Sequence, residues 1–206
     1  MFKLYLSITT FLQKRKELKI LLIPAFKIGL WNAWILVIPM LILYIFSMRV
    51  TAARESGRSG DFKITKKENM IIYSILLVMC IAFVYAIFLP LQLSIVWLII
   101  GLIIYLLGIV FTIIAVLNFA TSPKDKVITK GLYGMSRNPM YVGIVITQIG
   151  LGIACSSWLY LLLTAVLMIL LNANSSAEER YCLYMYRDDY RKYMNRTPRW
   201  IGIVKS

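Results

Sequence analysis

The chain has 206 residues, 60% of them hydrophobic and 16% charged, and its 23 basic against 9 acidic side chains give a formal net charge of +14. A soluble domain of this size cannot bury so much apolar surface, so the composition predicts an all-α, polytopic helical membrane protein. The basic residues flank apolar runs, where anionic headgroups and the positive-inside bias account for them, so nucleic acid is not expected as a partner. Histidine is absent, which removes the usual imidazole ligands, and no metal is expected.

About five transmembrane helices are predicted, because apolar runs recur at roughly 20 residues each. They cover residues 28–46, 70–89, 94–119, 139–154 and 158–172. Residues 1–27 mix apolar and basic side chains, so we expect an amphipathic segment at the membrane surface. Residues 173–206 are charged and aromatic, and we expect a cytoplasmic C-terminal helix and tail. Residues 1–206 therefore form one integral membrane domain in this prediction, with the bundle at 28–172.

Lysine and arginine collect in the loop after the first span, in the loop after the third and in the C-terminal tail. The tight turns at Pro90 and at Ser156-Ser157 hold none. The positive-inside rule therefore places the three basic segments, and the C-terminus, on the cytoplasmic side. With five spans the N-terminus would lie outside, yet it carries six basic residues. Either that segment re-enters the membrane or the rule fails once.

None of the nine carboxylates falls inside a predicted span. Ion-coupled carriers usually need ionisable groups at membrane depth, so a transporter is disfavoured. Cys80, Cys155 and Cys182 have no metal-like spacing and are interpreted as small apolar residues. Candidate chemistry therefore collects at the cytoplasmic face, in the string 137–143 and in the pair Glu178-Glu179.

The first string has a structural and a functional interpretation. Asn138 can cap a helix, and Pro139 at the first helical position loses a donor that would be unpaired anyway, so the string predicts the start of span four. Arg137 beside the positive end of that helix would also suit a carboxylate or phosphate. Tyr141 can stack or donate, and Gly143 permits close backbone approach. A stripe of small residues indicates helix packing: Gly143, Thr147, Gly150 and Ala154.

The second string also has two interpretations. Ser175 or Ser176 followed by Glu three residues later fits a capping box, in which the carboxylates would only close a helix N-terminus. On a continuing helix, Glu179 falls in the centre of an apolar stripe, whereas Glu178 projects toward the charged side. A carboxylate aimed into the protein needs a partner, so Glu179 is expected to meet Arg137, other basic groups or the polar part of a ligand.

The order of motifs resembles the isoprenylcysteine carboxyl methyltransferase and phospholipid methyltransferase superfamily, in which Gly-x-Tyr leads into Arg-His-Pro-x-Tyr-x-Gly. Here Gly131-Leu132-Tyr133 leads into Arg137-Asn138-Pro139-Met140-Tyr141-Val142-Gly143. Glu178-Glu179, the tyrosines of 190–193 and the Pro-containing segment 197–201 follow in the family's order. Asn138 replaces the family's histidine; it can donate and accept hydrogen bonds but cannot titrate.

The resemblance implies a membrane enzyme that uses S-adenosylmethionine at the cytoplasmic face. Its acceptor would be lipidic or prenylated, either isoprenylcysteine carboxylate-like or phospholipid-like, and the missing histidine slightly favours a carboxylate or thiolate. Arg137 and Glu179 are the candidate catalytic residues. The cofactor-binding positions implied are Gly131, Tyr133, Arg137, Asn138, Pro139, Tyr141, Gly143, Glu178 and Glu179. Two alternatives stay open: a nicotinamide-dependent membrane reductase related to sterol reductases, and a non-catalytic scaffold that binds anionic lipids.

Overall fold

The computed structural model describes Gly29 and residues 31–55, 62–91 and 95–202. The predicted interfacial segment, residues 1–27, lies outside these described residues. The described elements are all helical: α1 Trp34–Glu55, α2 Lys66–Phe88, α3 Ile95–Thr121, a 3₁₀ helix Gly131–Gly134, α4 Pro139–Ala154 and α5 Trp158–Arg196.

Four of these helices, α1, α2, α3 and α5, are long and apolar enough to cross a membrane. The fifth, α4, is apolar but has only 16 residues, so it is roughly 24 Å long against a hydrocarbon core of roughly 30 Å. Large aliphatic side chains face outward, where lipid covers them; Leu107 is 61% exposed and Ile169 is 70% exposed. The predicted polytopic helical membrane fold is confirmed.

Helix α5 differs most from its prediction. Its apolar run was expected to end near Asn172, but the helix continues through the charged sequence to Arg196. Ser175 lies in mid-helix and its hydroxyl donates to the Leu171 carbonyl at 2.9 Å, so the capping-box interpretation is wrong. Within α5 the helical dihedral angles are interrupted at Arg187, which has φ 48° and ψ −120°.

Helices α3 and α4 pack through the predicted stripe of small residues. A Cβ atom added to Gly150 would lie 2.3 Å from the backbone nitrogen of Tyr105, and one added to Gly101 would lie 2.3 Å from that of Ala154. The two backbones are therefore too close for side chains at these positions. The prediction that the stripe serves helix packing is confirmed.

Consecutive helices run antiparallel, as contacts at the two ends of the bundle show. At one end the Ala33 amide donates to the Leu89 carbonyl at 2.9 Å, joining the start of α1 to the end of α2. At the other end Arg54 of α1 donates to the Ser122 carbonyl after α3 at 2.6 Å. The described parts of the three basic segments meet at this second end, which we call the polar end: residues 49–55, 62–68, 119–138 and 174–200.

Candidate active site

A cavity of about 510 Å³ lies at the polar end of the bundle. Its walls come from the C-terminal half of α1, the end of α3, the segment 127–138, the first turns of α4 and the distal half of α5. Seven tyrosines and Phe119 contribute to these walls. The cavity forms here because α4 is short and does not reach as far toward the polar end as α3 does. The segment between the two helices folds back over the space that is left.

Five of the nine predicted cofactor-binding residues line this cavity: Tyr133, Arg137, Asn138, Tyr141 and Glu178. Four do not line it: Gly131, Pro139, Gly143 and Glu179. A Cβ on Gly143 would point at Thr112 of α3, and one on Gly131, which has φ +58°, would meet the Asn118 side chain. Pro139 is buried as the first residue of α4. These three residues fix the course of the backbone around the cavity and do not form the surface of the cavity.

Glu178 faces the cavity, not the charged side for which it was predicted. Its Oε1 atom accepts a hydrogen bond from the Tyr141 hydroxyl. The Asn174 amide donates to that same oxygen at 3.0 Å and to the Tyr141 hydroxyl at 2.8 Å. Asn174 and Glu178 are four residues apart on α5 and so share one helix face, which turns toward α4. The reason for the difference is that the inward surroundings of α5 are a polar, tyrosine-lined cavity instead of an apolar core.

Glu179 is buried, as its position in the apolar stripe predicted, with a side chain 7% exposed. Its two partners are arginines. Arg199 binds both carboxylate oxygens, through Nε at 2.9 Å and Nη2 at 2.6 Å. Arg137 places Nη1 3.2 Å from Oε1. Glu179 thereby raises the pKa of Arg199, chiefly through the hydrogen bonds, and the guanidinium stays charged.

Arg137 is held less completely than Arg199. Its Nε and Nη1 atoms are buried and have no hydrogen-bond partner among the residues that the structure describes. The 3.2 Å approach to Glu179 is therefore an ion-pair contact without hydrogen-bond alignment. One carboxylate faces two guanidinium groups in this cluster, so the cluster carries one uncompensated positive charge next to the cavity wall.

The segment after α5 docks against the turn before α4. The Arg137 amide donates to the Pro198 carbonyl at 2.9 Å, and the Ser136 hydroxyl donates to the Arg199 carbonyl at 3.2 Å. The Asn138 side chain also donates to the Arg199 carbonyl at 3.2 Å. Asn138 makes no side-chain cap to α4, contrary to our expectation, because its amide binds this segment instead.

Arg54 is a site residue that the sequence did not reveal. It is 5% exposed and lines the cavity. Its guanidinium donates to the carbonyls of Phe119, Ser122 and Pro123 at 2.8, 2.6 and 2.5 Å, which satisfies the C-terminal end of α3. Those acceptors are backbone atoms 65–69 positions away, so no sequence pattern marks them. The sequence places Arg199 in the basic tail and in the Pro-containing segment, but does not mark it as a partner of Glu179.

Tyr133 illustrates the chemistry of the aromatic wall. Burial raises the pKa of its hydroxyl above the ordinary value, because desolvation penalises the phenolate. Its backbone carbonyl accepts a hydrogen bond from the Tyr193 hydroxyl at 2.6 Å, which joins two walls of the cavity. Tyr133 therefore presents a neutral, fixed ring at physiological pH.

The charges around the cavity are few. Arg54 and Arg137 carry positive charge in its wall, and Glu178 is the carboxylate among the described lining residues. Within the described part of the chain, no three cysteine or acidic side chains are grouped as metal ligands. The arrangement can hold a small organic molecule with an aromatic part, a cationic part and an anionic part.

Comparison with protein families adds the decisive observation. A family described as phospholipid methyltransferase matches residues 89–189. The chain belongs to the isoprenylcysteine carboxyl methyltransferase and phospholipid methyltransferase superfamily. Comparisons with curated proteins and with solved structures found no match. As a member of this methyltransferase superfamily, the chain is an integral membrane methyltransferase with lipid-like substrates.

The matched residues include most of the site of this methyltransferase, from the turn at Pro90 to α5. Three contributions to the site come from outside the match. They are the α1 wall with Arg54, the tyrosines at 190 and 193, and the docked segment with Arg199.

Proposed function

We propose that this methyltransferase uses S-adenosylmethionine, bound in the cavity at the polar end, to methylate a lipidic acceptor. The observation that carries the proposal is that Tyr133, Arg137, Asn138, Tyr141 and Glu178, drawn from two separated motifs, line one cavity. The volume of about 510 Å³ falls within the roughly 300–1,000 Å³ range of small-molecule sites.

The residues fit the cofactor. Aromatic faces such as that of Tyr133 suit an adenine ring and attract a sulfonium by cation–π interaction. The guanidinium of Arg137, which lines the cavity and whose Nε and Nη1 make no hydrogen bond to the described residues, suits a carboxylate. Glu178, held by Tyr141 and Asn174, suits an ammonium group. When bound, S-adenosylmethionine supplies an electrophilic methyl group on a good leaving group.

The chain's own contribution to methyl transfer is positioning and exclusion of water. Holding two reactants in a productive geometry contributes roughly 7–11 kcal/mol to lowering a barrier, so no histidine is required for this part. A carboxylate acceptor needs no base. An amine acceptor would lose its proton to water, because Glu178 is assigned to the cofactor's ammonium group and both oxygens of Glu179 are bound by Arg199.

We also propose that the polar end faces the cytoplasm. The loop after α1, the loop after α3 and the distal part of α5 carry most of the basic residues outside the N-terminal segment, and the contacts of Arg54 and Arg180 bring their described parts together. The positive-inside rule assigns such an end to the cytoplasmic side. The single domain and its division at residues 28 and 173 are part of this proposal.

The two alternative functions are less well supported. The family match favours methyl transfer over a nicotinamide-dependent reductase, and it favours an enzyme over a lipid-binding scaffold. Competitive binding of NADPH against S-adenosylhomocysteine would separate a reductase from a methyltransferase. A scaffold would retain its function when the charges of Glu179 and Arg199 are exchanged, whereas a cofactor site would not.

Binding of S-adenosylhomocysteine to the purified protein, in detergent and in lipid vesicles, tests the proposal by calorimetry. We expect binding by the unmodified chain and at least about tenfold weaker binding by Arg137→Ala and Glu178→Gln, because each loses a charge-assisted hydrogen bond. Asp188→Asn is the matched control, since Asp188 pairs with Arg191 on the exposed side of α5. No binding by the unmodified chain in either medium would refute the proposed cofactor.

A further inference from the structure

We infer that Arg199 is a positioning residue that occupies Glu179 and thereby leaves Arg137 available to bind a ligand carboxylate in the cavity. This inference rests on the proposed function and extends it to a residue outside the matched family segment and outside the cavity wall. It names the class of ligand group that Arg137 takes, and it explains why one acidic residue is shared by two arginines.

The three side chains lie in series. Arg137 lines the cavity; Glu179 lies behind it, away from the cavity; and Arg199 binds the carboxylate of Glu179 at 2.9 and 2.6 Å. Arg137 approaches the same carboxylate to 3.2 Å without hydrogen-bond alignment. The carboxylate therefore points its lone pairs mainly at Arg199.

The consequence for Arg137 is electrostatic. If Glu179 paired fully with Arg137, the guanidinium would be neutralised and its donors satisfied, and a ligand carboxylate would gain little from it. Because Arg199 takes both oxygens, the guanidinium of Arg137, which lines the cavity, keeps most of its charge and has N–H donors that Glu179 does not satisfy. In these low-dielectric surroundings such donors strongly favour an anion with two oxygens.

The docking of the C-terminal segment does not depend on the Arg199 side chain. That segment is held by its backbone, through the Pro198 and Arg199 carbonyls that accept from residues 136–138. The Arg199 side chain is 28% exposed, so its replacement by methionine leaves no fully buried cavity. An Arg199 variant can therefore be tested in a folded protein.

Two ligands that differ by one carboxylate test the inference. They are S-adenosylhomocysteine and its decarboxylated analogue, S-adenosyl-3-thiopropylamine. In Arg199→Met, Glu179 turns to Arg137, so we expect affinity for S-adenosylhomocysteine to fall at least about tenfold while affinity for the analogue changes less than about twofold. Arg199→Lys keeps the charge without the bidentate geometry and should recover part of the loss. Arg191→Met, on an exposed arginine, is the control.

A second arm covers the case in which the carboxylate belongs to the acceptor. Binding of myristate and of myristyl alcohol is compared in the same variants, and selective weakening of myristate assigns the carboxylate to the acceptor. Equal weakening of both members of each pair by Arg199→Met, or no weakening at all, overturns the inference. Failure of the unmodified chain to bind S-adenosylhomocysteine at all instead rejects the proposed cofactor, so the two failures are distinguishable.

Discussion

Glu178 and Glu179 are adjacent in the chain but meet different surroundings, because one helical step turns the side chain by about 100°. Glu178 faces the cavity and accepts hydrogen bonds from Tyr141 and Asn174. Glu179 faces the turn before α4 and binds two arginines. The first carboxylate lines the cavity, whereas the second holds the arginines beside it.

Tyr141→Phe removes the hydroxyl that donates to Glu178 while keeping the ring. A hydrogen bond to a charged group contributes about 1.5–3 kcal/mol, so we expect affinity for S-adenosylhomocysteine to fall by roughly ten- to a hundredfold. Calorimetry measures the change. Tyr184→Phe is the control, because Tyr184 is half-exposed and its ring contact with Phe62 survives the substitution. Equal affinities of Tyr141→Phe and the unmodified chain would contradict the role given to this pair.

Glu179→Gln leaves Arg137 and Arg199 without their shared counter-charge. Breaking a buried ion pair by removing one partner costs about 3–5 kcal/mol, so we expect a clearly lower melting temperature in detergent as well as weaker ligand binding. Asp188→Asn, whose carboxylate is 80% exposed, should leave the melting temperature unchanged. A fully stable Glu179→Gln protein would show that the cluster does not hold the polar end together.

At the scale of elements, the α3–α4 pair is the frame on which the cavity is built. The backbones approach closely at Gly101 and Gly150, and near the start of α4 Gly143 lies against Thr112 of α3. Beyond that point α3 continues to Thr121, while the chain before α4 forms the 3₁₀ helix. The position of the site thus follows from the lengths of two helices packed through small residues.

Gly150→Ala tests this frame. The new Cβ would lie 2.3 Å from the Tyr105 nitrogen and 2.6 Å from its Cα, so the helices must separate. Overpacking of this kind costs about 1–3 kcal/mol, and the unfolding midpoint in detergent should fall accordingly. Gly134→Ala, whose nearest contact would be 3.3 Å, should cost less. If the two substitutions had the same effect, close packing of α3 on α4 would not be limiting.

The sequence predicted elements well where local signals decide them. Pro139 and Trp158 mark helix starts that follow directly from a proline and from a short polar turn, and both positions are confirmed. A helix after Asn172 was predicted, but its continuity with span five was not, because long-range contacts support it, including the Arg180 pair with Glu68 at 2.6 Å. The orientation of Glu178 was missed for a related reason. An apolar stripe identifies an inward face but does not show that a neighbouring face borders a polar cavity.

At the scale of the whole molecule, α5 is the longest of the described helices. The part before the interruption at Arg187, residues 158–186, extends roughly 43 Å, beyond a hydrocarbon core of roughly 30 Å. The distal part of α5 therefore projects from the membrane, together with the arginines that were predicted to lie on the cytoplasmic side. In the proposed single-domain organisation, the polar end continues the membrane bundle.

Cysteine labelling tests the proposed sidedness. Cys80, Cys155 and Cys182 are first replaced, and single reporters are introduced as Asp125→Cys after α3 and Trp158→Cys at the start of α5; both positions are exposed. A membrane-impermeant maleimide should reach the first reporter only from the cytoplasmic side and the second only from the opposite side. Labelling of both from one side would contradict the antiparallel bundle, and the reverse pattern would contradict the assigned orientation.

The docked segment at 197–199 also affects the order in which the protein is made. These residues follow every described helix, so the ribosome adds them after α1 to α5 have been synthesised. Until then the Arg137 amide and the Asn138 side chain lack the carbonyls that they bind in the finished protein. This part of the cavity surroundings is therefore added to the chain after the helices against which it docks.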